Sequence, residues 1–97
     1  MNNSNYRPLR LSNLLERQFE NELVLYDIGK DHLFRLEVVA AAIWDLCDGR
    51  HTSDEIANDI SSAFQIIREQ ALRDVQTAIN DFQRLGILVN QIGRAHV

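Results

Sequence analysis

Apolar and polar residues alternate in the first third of the chain, which is the pattern of short β-strands. Residues 23–28 place Leu23, Leu25 and Asp27 on one face of an extended segment and the intervening residues on the other. Residues 14–19 carry a weaker form of the same pattern and predict a further strand. These stretches predict that the domain begins with strands rather than helices.

A turn separates this pattern from a second alternating stretch. Residues 27–31 form the predicted turn, and Gly29 is expected to supply any positive φ that the turn requires. Residues 32–36 then return as the second strand of a hairpin, with Phe34 and Leu36 on one face.

The hydrophobic period changes to that of a helix after residue 37. From Val38 to Asp48 apolar residues recur at helical spacing, and the alanines at 40–42 favour a helix. Asp48 and Gly49 are expected to end this helix, with Gly49 just beyond the C-cap.

Two more helices are predicted in the second half of the chain. Thr52 and Glu55 form a capping-box pattern that opens a helix over residues 53–64. A longer helix is predicted over residues 68–85, ended by Gly86, with a short extended segment after it. The predicted core contains Phe34, Leu36, Ile43, Ile56, Ile60, Leu72, Val75, Ile79 and Phe82.

This order of elements predicts an α+β fold: a small antiparallel three-stranded sheet followed by three helices, with a winged helix-turn-helix look. A length of 97 residues fits one domain, which we place at residues 14–89. Residues 1–13 are largely polar and are predicted to form a flexible N-terminal arm.

The C-terminal residues 90–97 are predicted to be a tail that is not native. Residues 92–97 can be encoded by ATC GGA AGA GCA CAC GTC, a string that reproduces a common sequencing-library adapter in one frame. The alternative is a natural polar tail. Re-sequencing the source locus decides between them, because a continuous natural reading frame would end the adapter hypothesis.

Charge and cysteine content narrow the functional classes. The formal net charge of −4 counts against a nucleic-acid partner, because an acidic domain repels a phosphate backbone. A single cysteine cannot form an internal disulfide, which favours a reducing compartment. The chain has no apolar run long enough to span a bilayer and no signal peptide, so a cytoplasmic location and no membrane partner are expected.

Catalytic, metal and cofactor chemistry is not indicated. His32, His51, His96 and Cys47 are scattered without the spacing of a zinc site, so we predict no metal and no cofactor. Cys47 falls on the buried side of its helix, where a cysteine usually acts as a small hydrophobic residue. Trp44 is interpreted as a core residue. We therefore predict that the chain is not an enzyme.

The stretch from residue 40 to 49 (AAAIWDLCDG), with Thr52 and residues 55–57 (EIA), resembles the PqqD family. Asp74-Val75 and residues 85–88 (LGIL) are similar to that family as well, so the resemblance covers about residues 14–89. The family tends to place asparagine just before the first helix, where this chain has Glu37.

The resemblance implies a function in peptide recognition. Members are small non-catalytic domains that hold the leader region of a ribosomally made precursor peptide. They present it to a modifying enzyme, often a radical-SAM protein, and the product of the namesake pathway is pyrroloquinoline quinone (PQQ). The resemblance also implies that the peptide adds a strand beside the third strand and against the third helix.

An exposed sheet edge offers unpaired main-chain groups to such a peptide, so both elements supply candidate binding residues. On the strand, Leu33 and Arg35 lie on the opposite face from Phe34 and Leu36. On the helix, the candidates lie off the buried stripe, where a solvated helix face is the somewhat more common explanation for any single residue. The predicted peptide-binding residues are His32, Leu33, Phe34, Arg35, Leu36, Arg73, Gln76, Thr77 and Asn80.

Two other functions stay open. A winged-helix DNA-binding module would need a basic recognition helix, but three arginines and three acidic residues balance in the third helix. A scaffold or peptide-chaperone module without a modified-peptide product is the other alternative. A radical-SAM gene and a short precursor gene nearby would favour leader recognition. The sequence leaves the oligomeric state open.

Overall fold

The computed structural model describes residues 6–89. The first residues of the predicted arm (1–5) and the predicted tail (90–97) lie outside the described residues. The predicted α+β order is confirmed, with a three-stranded antiparallel sheet followed by three helices. The elements are β1 (Leu14–Gln18), β2 (Glu22–Asp27), β3 (His32–Glu37), α1 (Val38–Leu46), α2 (Ser53–Phe64) and α3 (Arg68–Leu85).

The sheet has the strand order β1-β2-β3, and one of its faces packs on α1. In the register, Leu23 lies opposite Leu36 and Leu25 lies opposite Phe34. Leu23, Leu25 and Leu36 are buried, while the alternate residues of the strands lie on the outer face. The predicted face of β2 is therefore the one that packs on the core.

The β2–β3 turn differs from its prediction. Asp31, rather than Gly29, has the positive φ, at 56°. Aspartate tolerates this left-handed conformation because its short polar side chain can hydrogen-bond nearby. Asp31 Oδ1 accepts a hydrogen bond of 2.7 Å from the Tyr26 hydroxyl, and Asp27 Oδ1 accepts one of 3.2 Å from the Lys30 N–H. Side-chain acceptors hold the turn, so glycine is not needed for it.

The helix ends follow capping chemistry in two cases and depart from prediction in one. The capping box is present, since Thr52 Oγ1 accepts from the Glu55 N–H at 3.2 Å and Glu55 Oε1 accepts from the Thr52 N–H at 2.8 Å. Gly86 ends α3 with a φ of 74°. Helix α1 ends at Leu46, two residues before the predicted Asp48, and Gly49 lies in the following loop.

Residues 8–11, part of the predicted flexible arm, are bound to the folded domain. Arg10 Nη1 donates to the main-chain carbonyls of Trp44 at 3.1 Å and Asp45 at 2.7 Å, both in the last turn of α1. The predicted arm therefore does not extend through these residues. Their main-chain hydrogen bonds are Gly49 N to Pro8 O, Arg10 N to Cys47 O, Leu11 N to Ile87 O and Val89 N to Leu9 O, each between 2.8 and 3.0 Å.

The predicted core is largely confirmed. Phe34 and Leu72 are only partly buried, and the other seven predicted residues are buried. Trp44 is 1% exposed, which confirms its interpretation as a core residue. Ile87 and Leu88, which follow α3, also enter the core.

Replacing Ile79 by alanine tests the core assignment. Ile79 is 3% exposed, so the change removes buried methyl groups and leaves a cavity. We expect a loss of about 2–5 kcal/mol in the free energy of unfolding, measured by urea denaturation. The neighbouring Asn80 is exposed, so Asn80→Ala should stay within about 0.5 kcal/mol of the parent. A loss below about 1 kcal/mol for Ile79→Ala would show that the residue is not in the core.

Candidate functional site

The outer edge of β3 is free. Within residues 6–89, β3 pairs with β2 on one side and no strand pairs with it on the other. An edge strand presents main-chain N–H and C=O groups that another extended chain can pair with. Successive residues of β3 direct their main-chain N–H and C=O groups alternately toward β2 and toward the free edge, so the residues that face the edge must be identified from the hydrogen-bonding pattern.

The β1–β2 turn fixes that pattern. The Phe19 N–H donates to the Glu22 carbonyl at 2.8 Å, so these two residues form a hydrogen-bonded pair. Such pairs alternate with non-bonded pairs along an antiparallel ladder. Val24 and Tyr26 therefore also bond β1. The intervening residues of β2, which include Leu25, bond β3.

It follows that His32, Phe34 and Leu36 direct their main-chain groups toward β2. The N–H and C=O groups of Leu33 and Arg35 point out at the free edge. Their side chains lie on the outer face of the sheet, and both residues are exposed. Before β3 meets α1, Leu33 and Arg35 are therefore the two residues whose main-chain groups a peptide could pair with.

A groove lies beside this edge, because β3 and α3 both pack on α1 while no Cα atom of β3 comes within 8 Å of one in α3. It has a volume of about 290 Å³ and takes residues from the end of β3, from α1 and from α3. We call it the acidic groove. Its lining residues are Glu37, Val39, Ala40, Ile43, Asp74, Thr77, Ala78 and Asp81.

Helical spacing explains the α3 side of the groove. Asp74, Ala78 and Asp81 lie at i, i+4 and i+7, so they share one face, and Thr77 lies next to them. Ala78 is buried and small, which leaves space between the two carboxylates. This face adjoins the apolar stripe that packs on the core.

The charged groups of the groove are all acidic, and none of its eight lining residues is basic. Glu37 is the N-cap of α1 and accepts a 3.1 Å hydrogen bond from the Val39 N–H, so the substitution for the asparagine usual in the resembled family keeps a capping acceptor. Asp74 accepts a 2.9 Å hydrogen bond from the neutral Gln70 side chain. Asp81 forms an ion pair with Arg84.

The structure divides the predicted binding residues. His32–Leu36 forms the free edge strand, and Thr77 lines the acidic groove. Arg73, Gln76 and Asn80 are exposed and do not line the groove, because a 100° step per residue puts them on the solvent-facing side of α3, on the side of Thr77 away from the groove. Their contact with a peptide stays a prediction.

Sequence reasoning missed most of the groove: Asp74, Ala78 and Asp81 on α3, and Glu37 at the end of β3. A signal for the α3 residues was present, since two acidic residues flank a small one at helical spacing beside the buried stripe. The spacing alone would not have shown that α1 leaves this flank of α3 open.

A second groove, of about 390 Å³, lies on the other side of α1. It is lined by residues of β1, β2 and α1, among them Glu16, Glu22 and Asp45. It adjoins the edge of β1. A peptide could therefore pair with β1 beside this second groove, instead of with β3 beside the acidic groove.

Comparison with known proteins identifies the family. The model of the family described as coenzyme PQQ synthesis protein D (PqqD) matches residues 22–88, more than half of the chain. The chain belongs to the PqqD family. The match begins at β2 and includes β3 and all three helices. A search of curated proteins finds no match.

Two solved structures share the PqqD-like fold of this chain. "Lasso peptide synthetase B1 complexed with the leader peptide" has a TM-score of 0.76 and 19% identity, and covers 88% of this chain and 100% of that one. "TbiB1 in complex with the TbiA(beta) leader peptide" has a TM-score of 0.72 and 20% identity, and covers 82% and 93%. At this identity the likeness shows the fold.

Cys47 is a poor nucleophile in this PqqD-family chain. The thiol is free and buried, and burial raises its pKa to about 12, an effect that the nearby Arg10 guanidinium only partly opposes. At neutral pH it is therefore protonated, whereas the thiolate is the reactive form.

Replacing Cys47 by alanine should leave peptide affinity, and the turnover of a partner enzyme supplied with the domain, within about twofold of the parent, provided that folding is kept. Affinity is measured by fluorescence anisotropy and folding by circular dichroism. Lost turnover with unchanged affinity and folding would assign a chemical role to this thiol.

The side chains of His51 and Asp48 form a hydrogen bond in the loop between α1 and α2. His51 Nδ1 lies 2.9 Å from Asp48 Oδ1. This hydrogen bond raises the pKa of His51 and lowers the pKa of Asp48.

Within residues 6–89, no group of three or more His, Cys, Asp or Glu side chains is placed to hold a metal ion. In the same part of the chain, no helix is long and apolar enough to cross a membrane.

Proposed function

We propose that this PqqD-family chain is a non-catalytic peptide-binding domain. It binds the leader of a ribosomally synthesised precursor peptide and presents it to a modifying enzyme, of the radical-SAM or another peptide-modifying type, in the cytoplasm. The pathway makes a modified peptide or a PQQ-like cofactor. One observation carries the proposal: β3 has a free edge with outward main-chain groups, next to an open groove on α3.

The binding mode follows from the edge. An extended leader adds a fourth strand beside β3, and its main chain pairs with Leu33 and Arg35. Alternate side chains of the leader then lie on the face that carries Phe34 and Leu36, toward α1 and α3. Main-chain pairing supplies most of the affinity, and the side chains that reach the groove supply specificity. The two B1 proteins that share this fold are in complex with a leader peptide, which supports leader binding by this chain.

The absence of catalysis is supported by the chemistry of the side chains. Cys47 is buried with a raised pKa, and His51 is hydrogen-bonded to Asp48. The Cys47 thiol is therefore not an activated nucleophile, and the His51–Asp48 contact is a hydrogen bond within the loop between α1 and α2. The domain acts by holding its peptide while the partner enzyme supplies the reaction.

DNA binding is the weaker proposal. Asp74 and Asp81 line the open flank of α3, where they would repel a phosphate backbone. A scaffold role without a modified peptide has no separate observation in its favour.

An NMR titration tests the proposal. Isotopically labelled full-length chain is titrated with short precursor peptides encoded beside its gene. Shift changes should cluster on residues 32–37 and on the groove residues of α3. Changes confined to α2, to residues 87–89 or to β1, with β3 silent, would contradict strand addition at β3. Absence of binding by every precursor, together with binding to duplex DNA, would favour the DNA-binding alternative.

A further inference from the structure

We infer that the acidic groove selects leader peptides that carry a lysine or arginine, whose cationic head lies among the carboxylates of Glu37, Asp74 and Asp81. This inference rests on the proposed peptide-binding function and adds a specificity to it. An acidic leader side chain would meet repulsion from these carboxylates rather than a partner.

The position of the groove brings it within reach of an added strand. Glu37 lies at the end of β3, so a peptide that follows the β3 edge runs directly to the groove. Every second side chain of that peptide lies on the face that points toward α1 and α3. One of these side chains therefore enters the groove, and its neighbours along the peptide point away.

The shape of the groove suits a long side chain with a charged end. Val39, Ala40, Ile43 and Ala78 form an apolar floor, which the methylene stem of lysine or arginine can cover while its head stays polar. Asp74 and Asp81 are seven residues apart in α3, which is roughly 10 Å along the helix axis. The head can therefore lie between them, above the small side chain of Ala78.

The carboxylates keep acceptor capacity for such a head. An ionised carboxylate has about four acceptor positions. Glu37 uses one for the Val39 N–H and Asp74 uses one for the Gln70 amide, and both of these donors are neutral. Arg84 partly neutralises Asp81 from outside the groove. The lysine or arginine of a bound leader would be the only basic group among the residues that line the acidic groove.

A random-sequence peptide library, displayed on phage and selected against the full chain, tests the inference without a known ligand. Peptides enriched by the parent should share a lysine or arginine at one position of an extended motif. Asp74→Asn should abolish that preference, and Asp74→Lys should favour acidic residues there. Asp59→Asn is the matched control, because Asp59 is an exposed aspartate on α2, outside the groove. It removes the same net charge and should keep the preference.

Affinities of the enriched peptides then give the size of the effect. Changing the shared basic residue to glutamine should weaken binding to the parent by roughly tenfold, and far less to Asp74→Asn. Added NaCl should narrow this difference. Circular dichroism checks that each variant keeps its helices.

The outcomes separate the inference from the proposed function. Enriched peptides that perturb β3 but show no basic preference would overturn the inference and leave leader binding intact. An equal loss of preference in Asp59→Asn would trace the effect to net charge and also overturn it. If neither the library nor the neighbouring precursors bind, the proposed function itself fails.

Discussion

Replacing Trp44 by alanine is expected to lower the free energy of unfolding by about 3–5 kcal/mol, among the largest losses that a core substitution causes. The indole is 1% exposed and packs edge-to-face on Phe82, with ring centroids 5.2 Å apart. Its Nε1 also donates a 3.1 Å hydrogen bond to Glu16. The change therefore leaves a large cavity and removes a link between α1 and β1.

Urea denaturation followed by circular dichroism measures the loss, since the variant has no tryptophan to report by fluorescence. Trp44→Phe is the matched control, because it keeps an aromatic ring against Phe82 but lacks the N–H. It should cost less than the alanine change. Equal losses for Trp44→Phe and Trp44→Ala would mean that the hydrogen bond to Glu16, rather than ring packing, dominates.

Replacing Arg35 by proline is expected to weaken leader binding by roughly tenfold or more. Proline removes the N–H that Arg35 directs to the free edge, and its ring obstructs an adjacent strand. The bonds between β3 and β2 come from His32, Phe34 and Leu36, so the hairpin keeps them. One hydrogen bond contributes about 1 kcal/mol, and the obstruction adds to that loss.

The matched control is Arg35→Ala, which changes the side chain and keeps the N–H. The arginine is exposed and lies 3.9 Å from Glu22, a weak surface contact, so Arg35→Ala should change affinity by less than about threefold. Anisotropy titrations with a precursor peptide give the affinities, and thermal melts confirm folding. Unchanged affinity in the folded proline variant would show that the leader does not pair with β3.

The local elements were largely predictable because each has a signal confined to a few residues. The capping box at Thr52 and Glu55 marks the start of α2, and Gly86 marks the end of α3; both helices are as predicted. The end of α1 was missed in a region where Arg10, far away in sequence, donates to carbonyls of its last turn. A distant side chain leaves no local pattern.

The candidate site was predictable only in part, for a related reason. The alternation in residues 32–36 identifies the edge strand, since the pattern of a strand is local. The acidic groove depends on how β3 and α3 pack on either side of α1, which no single segment encodes. Polar residues off the buried stripe of α3 look alike in sequence. The packing of α3 on α1 determines that Asp74, and not Arg73, lines the acidic groove.

The pairing of β1 with β2 bears on how this domain can be dissected. A fragment begun at residue 22, where the family match starts, would lack β1 and the bonds of residues 8–11. The main-chain groups of Val24 and Tyr26 would then lie at a bare edge, open to pairing with a second molecule. Such a fragment would self-associate, and its second edge would compete with β3 for any peptide offered. Fragments that begin at or before Tyr6 avoid this artefact.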